Sequence, residues 1–176
     1  MSYDFRTCEL EIHFTSYVQF LLSHHSELNL PYSFPQKLSF FSSPLMFGKA
    51  MLIIDEDMYE VVGAAGFVLG TGPQQYEDRE ICQIEAIFIE NGHRGTLLFA
   101  RAMQAFVRLI RSENPDVRQV QFWTAAEPES GLKQLLAKLC SLPGGSRTLV
   151  NELAFYTIPF PELENYCARL GPRMDR

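Results

Sequence analysis

Ile84-Glu85-Ala86-Ile87-Phe88-Ile89-Glu90-Asn91-Gly92-His93-Arg94-Gly95 is the stretch on which the fold turns. Its first half closes an apolar run from Ile81 to Ile89 that is too short for a buried helix and rich in β-branched and aromatic residues, so it reads as a central strand. A four-residue polar turn follows. Residues 94–113 then carry a 3.6-residue period: Phe99, Met103, Phe106 and Ile110 form one stripe, with Leu98, Ala102, Ala105 and Leu109 beside it. Arg101, Gln104, Arg108 and Arg111 form the opposite, solvated stripe, and Asn114-Pro115-Asp116 stops the helix. A strand that passes straight into a long helix presents unpaired amides at the helix start, where the helix dipole favours an anion.

Outward from this junction the chain alternates between strand and helix signals. Towards the N-terminus, residues 61–69 and 50–54 read as apolar strands, and the acidic turn Asp55-Glu56-Asp57 ends the latter. Residues 70–80 form a polar loop. Residues 5–14 are expected to form the first strand, with Thr15 or Ser16 capping a helix through residue 27. Two prolines in residues 30–35 break that helix, and a short second one is expected over 36–42. Towards the C-terminus come a strand over 117–123, a helix over 130–142, a strand or hairpin over 147–159 and a short helix from Pro161. This order predicts an α/β domain, with a mixed, mostly antiparallel sheet flanked by helices.

The 176 residues suit one domain spanning 1–176, and 14 phenylalanines can fill its core. A net charge of −6 argues against general nucleic-acid binding. Cys8, Cys82, Cys140 and Cys167 are far apart, form no C-x-x-C pair and read as reduced thiols rather than a metal site. No apolar run approaches the roughly 20 residues of a membrane span, and the N-terminus lacks the layout of a signal peptide. A cytoplasmic chain, with no membrane or metal partner, is expected. The sequence leaves a homodimer open.

The strand–turn–helix segment resembles the GNAT acyl-CoA N-acyltransferases. Many of these carry an apolar–acid–x–apolar–aromatic–apolar strand, a four-residue turn and then Arg-Gly at a helix start. The element order agrees over nearly all of the chain. The resemblance implies that acetyl-CoA or another acyl-CoA is a co-substrate. Its pantetheine arm would pair with the backbone of Ile87, Phe88 and Ile89, and its pyrophosphate would be held at Arg94, Gly95, Thr96, Leu97, Leu98 and Phe99. It implies a small amine or a protein amine as acceptor. Two departures stand out. Leu97 and Phe99 occupy positions where the family has small residues that let phosphate approach the main chain. Leu136 occupies the position of a tyrosine that protonates the leaving thiolate, and leucine has no proton to give.

Glu85 is the candidate general base, since a carboxylate among apolar neighbours is held less ionised and is better matched to an amine proton. The competing reading is a structural acid paired with an arginine or facing solvent. Trp123, with Phe122, and Glu127 are candidates for the acceptor side; their competing readings are core packing and an acid favouring the next helix start. His24 and His25 sit near an expected helix end without spaced co-ligands, so they do not make a metal site. His93 reads as a solvated turn residue. The altered loop and the missing tyrosine also admit a non-catalytic binding or interaction module.

Overall fold

Ile81–Ile89 is a strand along its full length, and the long helix after the turn occupies Thr96–Glu113. A computed structural model describes residues 2–28 and 30–171, except for the Thr96 side chain. In chain order the elements are β1 (Tyr3–Thr7), α1 (Glu11–Ser23), α2 (Phe34–Phe47), β2 (Gly48–Asp55), β3 (Glu60–Leu69), β4 (Ile81–Ile89), α3 (Thr96–Glu113), β5 (Gln119–Ala125), α4 (Ser130–Cys140), β6 (Ser146–Val150), β7 (Leu153–Pro159) and α5 (Phe160–Ala168). The seven strands form one sheet in the order β1-β2-β3-β4-β5-β7-β6. Every pairing is antiparallel except β4 with β5, so the mixed sheet expected from the sequence is present.

The two faces of the sheet bury different helices. On one, Phe106 and Ile110 of α3 and Leu163 and Cys167 of α5 pack on Met51, Phe67, Val120 and Ile158. On the other, Tyr17 and Leu21 of α1 and Phe41 of α2 pack on Leu52, Ala64, Ala86 and Phe88.

Near the N-terminus the structure corrects the sequence reading. The first strand ends at Thr7, and α1 begins at Glu11 rather than after Thr15 or Ser16. The cap comes from within the helix: His13 Nδ1 accepts from the amides of Glu9 and Leu10, both at 3.3 Å. Ser16 instead donates to the Ile12 carbonyl at 2.8 Å, one turn back. Helix α2 begins with a reciprocal cap, in which Ser33 Oγ accepts from the Gln36 amide and Gln36 Oε1 accepts from the Ser33 amide. It runs five residues past the expected end, through Pro44. The Phe40 carbonyl that an amide at position 44 would have met accepts from Ser43 Oγ at 3.3 Å.

Gly66 of β3 is the seat of α1 and α2. A Cβ there would lie 2.3 Å from the Tyr17 hydroxyl and 2.8 Å from Pro44 Cγ. That hydroxyl is buried and, among the described residues, has no hydrogen-bond partner. Gly66→Ala is therefore expected to cost about 1–3 kcal/mol by overpacking. Tyr17→Phe, which removes only an unpaired hydroxyl, should be neutral or stabilising. Urea denaturation of both variants and of the double variant checks this: the double variant should be less destabilised than the sum of the two.

Candidate functional site

Strands β4 and β5 are joined over three residue pairs only, Ile81 with Gln119, Cys82 with Val120 and Gln83 with Gln121. Beyond Gln83 they part. β4 stays paired with β3 as far as Ile89, while β5 stays paired with β7 as far as Ala125. The sheet thus opens into a cleft along one edge of β4. The Glu90 amide donates to Val62 on β3. Alternation along the ladder then directs the main-chain groups of Ile87 and Ile89 towards the cleft and those of Phe88 towards β3. Ile87 is 37% exposed, an unusual state for an apolar residue in a central strand. It lines a shallow apolar crevice with Ile89, Phe99 and Met103.

Glu85 stands where the strands part, and a β-bulge puts it there. Gly66 pairs with Ala86 and Phe67 with Ile84, so Glu85 is the extra residue of β4. Before the bulge Cys82 and Ile84 face α3, whereas after it Ala86 and Phe88 face α1 and α2. Glu85 shares the α1–α2 face with Gln83, whose Nε2 donates to its Oε1 at 3.2 Å. Burial raises the Glu85 pKa from 4.5 to about 7, and the Gln83 hydrogen bond pulls the other way. Among the described residues no cation offsets the burial. Tyr17 and Tyr32 are close enough to feel its charge; burial first, then Cys8 and Glu85 for Tyr17 and Glu85 for Tyr32, hold both phenols above their ordinary range.

At the other end of the cleft α3 begins without a side-chain cap and without an acid in its first turn. The Gly95 amide donates to the His93 carbonyl, and the Phe99 amide to the Gly95 carbonyl. By helical geometry the amides of Thr96, Leu97 and Leu98 have no carbonyl within the helix. Side chains leave the approach open: a Cβ on Gly92 or Gly95 would meet nothing within 4 Å. Leu97 is exposed, Leu98 is buried, and Phe99 packs against the α3-side core. The Thr96 side chain lies outside the described residues. Arg94 is already engaged. Its Nε donates to the Ile89 carbonyl at 2.7 Å, its guanidinium lies over the Phe88 ring, and its Nη1 is 3.3 Å from Glu129 Oε1, just before α4.

The two acceptor-side candidates are not brought together. Phe122 stacks on Tyr156 on the α4 face, so Trp123, the next residue, faces the opposite side, where it is half-buried against Phe155. Glu127 pairs with Lys133 at 3.7 Å and lines a cavity of about 500 Å³ with Leu136, Arg147 and Tyr156 at the far sheet edge. Leu136 itself is buried against Ala154 and Tyr156. His93 is not merely solvated: its Nδ1 lies 3.1 Å from the Tyr3 hydroxyl. His24 packs on Phe88, bonds Glu90 at 3.1 Å and pairs with Glu27. All four cysteines are free. Burial pushes Cys8 and Cys167 up to about 12 and Cys82 higher still. Among the described residues no three His, Cys, Asp or Glu side chains group to hold a metal ion, and no helix is long and apolar enough to cross a membrane.

The sequence pattern missed Gln83, Gln121, Tyr17 and Tyr32. A signal was there for the first two. Gln83 and Glu85 fall two apart in an apolar strand, as do Gln119 and Gln121, and polar residues at strand spacing on one face are neighbours.

No protein-family model matches the chain, and no curated protein does. Solved structures do. A GNAT-family acetyltransferase from Staphylococcus aureus Mu50 is 15% identical with a TM-score of 0.62, over 90% of this chain and 99% of that one. An acetyltransferase from Streptococcus agalactiae 2603 is 11% identical with a TM-score of 0.62, over 89% and 98%. A chimera of a Vibrio cholerae spermidine N-acetyltransferase and hSSAT is 11% identical with a TM-score of 0.57, over 93% and 98%. The fold is that of the GNAT N-acyltransferases.

The raised Glu85 pKa ties stability to pH. The protonated carboxyl contributes fully below about pH 4.5 and loses that contribution as pH rises through about 7. The loss is expected to reach roughly 3 kcal/mol. Chemical denaturation between pH 4.5 and 8 should show wild type weakening relative to Glu85→Gln across that window. Parallel profiles would place Glu85 in an ordinary solvated setting.

Proposed function

We propose that the chain is an N-acyltransferase that moves an acyl group, acetyl in the simplest case, from acyl-CoA to an amine. The observation that carries this reading is the cleft between β4 and β5. It has a half-buried carboxyl at its closed end and an uncapped helix start at its open end. The pantetheine arm pairs with the cleft-facing main chain of Ile87 and Ile89. The pyrophosphate meets the amides of Thr96, Leu97 and Leu98, with Arg94 beside it. To reach the phosphate, Arg94 leaves Glu129, an exposed pairing that holds it weakly, and gives up the Ile89 carbonyl to the pantetheine arm.

The amine enters from the α1–α2 side, where Glu85 lies. Glu85 takes one amine proton, directly or through a water, and the nitrogen lone pair attacks the thioester carbonyl carbon. Cleft-facing N–H groups of β4 stabilise the oxyanion. The intermediate then collapses: the C–S bond breaks, the amide remains, and the thiolate leaves. The amide nitrogen still carries one surplus proton at that point; Leu136 can relay none, so this proton passes through water to the departing thiolate.

A second reading, a non-catalytic module that no longer takes CoA, draws on the family-position changes at Leu97, Phe99 and Leu136 and on the prior engagement of Arg94. Calorimetric and thermal-shift titration separates the two. CoA and acetyl-CoA are expected to raise the melting temperature by about 5 °C or more once the ligand is about a hundredfold over its Kd. No heat and no shift up to millimolar CoA would leave only the second reading. Glu85→Gln should keep CoA affinity and lower turnover about a hundredfold or more on a panel of amines. Glu129→Gln, which frees Arg94, should tighten CoA about two- to fivefold.

A further inference from the structure

Three glutamines stand in line behind Glu85 on the α1–α2 face of the sheet. Gln119 Nε2 donates to Gln121 Oε1 at 3.3 Å, and Gln121 Nε2 donates to Gln83 Oε1 at 3.0 Å. Gln83 Nε2 donates to Glu85 Oε1 at 3.2 Å. The line crosses from β5 to β4 at the last residue pair before the strands part, Gln83 with Gln121. Gln121 and Gln83 each use the nitrogen forwards and the oxygen backwards, so the row is head to tail. An ionised carboxylate only accepts, so it can close such a row at one end and fixes the sense of every amide behind it. Turning over Gln121 or Gln83 would set NH₂ against NH₂ and oxygen against oxygen.

The geometry points to Gln83 and Gln121 as positioning residues that hold the Glu85 carboxylate in place and favour its charged form from the floor of the cleft. This rests on the proposed role of Glu85 as the base and assigns how that base is kept usable. The amides carry no proton themselves. They supply fixed dipoles whose donor ends point at the carboxylate, where no cation stands. The other titratable groups that feel Glu85, namely Tyr17 on α1, Tyr32 before α2 and Cys82 on β4, are acids held in their neutral form, so none of them supplies a positive charge to the carboxylate. The row is therefore the polar support of a half-buried carboxylate whose titratable neighbours on the same face are the phenols Tyr17 and Tyr32.

The test reads the Glu85 titration directly, by carbon-detected NMR of the side-chain carboxyl in the full chain, with the resonance assigned by its loss in Glu85→Gln. Gln83→Met should raise the midpoint by about one unit, the size of one hydrogen bond to a charged group. Gln121→Met, which touches nothing on Glu85, should raise it in the same direction by less. Gln121→Glu should raise it more than Gln121→Met, because a carboxylate at 121 draws the Gln83 amide towards itself and away from Glu85. An unchanged midpoint in both Gln121 variants overturns the proposal, since Gln83 would then act alone. Amide spectra check that each variant keeps the fold. Should Gln83→Met fail to fold, the two changes at half-buried Gln121 decide the matter without it. The measurement uses no CoA and no acceptor. A flat midpoint sinks the row and leaves acyl transfer standing, whereas absent CoA binding sinks acyl transfer and leaves the row standing.

Discussion

The parting of β4 from β5 is the constraint on which the remaining structure depends. Two parallel neighbours in mid-sheet would ordinarily pair along their length and seal each other's backbone groups. Here they share three residue pairs and then diverge, because one is held by β3 and the other by β7. Antiparallel partners on both outer sides keep the two halves rigid while the seam between them opens. The result is an edge of β4 with no strand partner in the middle of a well-packed domain, a state that is tolerable only where something polar can reach it, as the Arg94 guanidinium reaches the Ile89 carbonyl. Helix α3 begins at the open end of that seam, and this is why its uncapped amides and the free edge of β4 serve one cleft rather than two separate surfaces.

A single residue insertion sets the chemistry. The bulge at Glu85 reverses which residues of β4 face α1 and α2, so the same strand feeds one core with Cys82 and Ile84 and the other with Ala86 and Phe88. It also leaves the bulged residue turned towards the helices at the edge of the opening. Desolvation there works against the charge, and neighbouring amides work for it. Because neither effect is absolute, the carboxyl titrates near neutrality instead of being locked in one state.

Much of this could be read from the chain itself. The strand ends at Ile81 and Ile89 and the course of α3 follow from apolar spacing alone, and the acid in that strand was legible as the residue most at odds with its surroundings. What escaped the pattern depended on three-dimensional partners. A histidine at the third helical position of α1 does the capping that a serine or threonine was expected to do, and Pro44 stays helical because Ser43 serves the abandoned carbonyl. A bulge has no period, so the position of Glu85 relative to Gln83 and Gln121 emerges only when β3 sets the register. Phe99, which stands where the family has a small residue, packs its ring against the core beneath the helix, a contact that the spacing of α3 does predict.

The buried thiols bear on how such a chain could coexist with an activated acyl donor. A thioester is an electrophile, and the species that attacks it is a thiolate, not a thiol. Cys8, Cys82 and Cys167 are enclosed by apolar side chains and keep their protons far above neutrality, so they offer no route for stray self-modification. Cys140, at the end of α4, is half-buried.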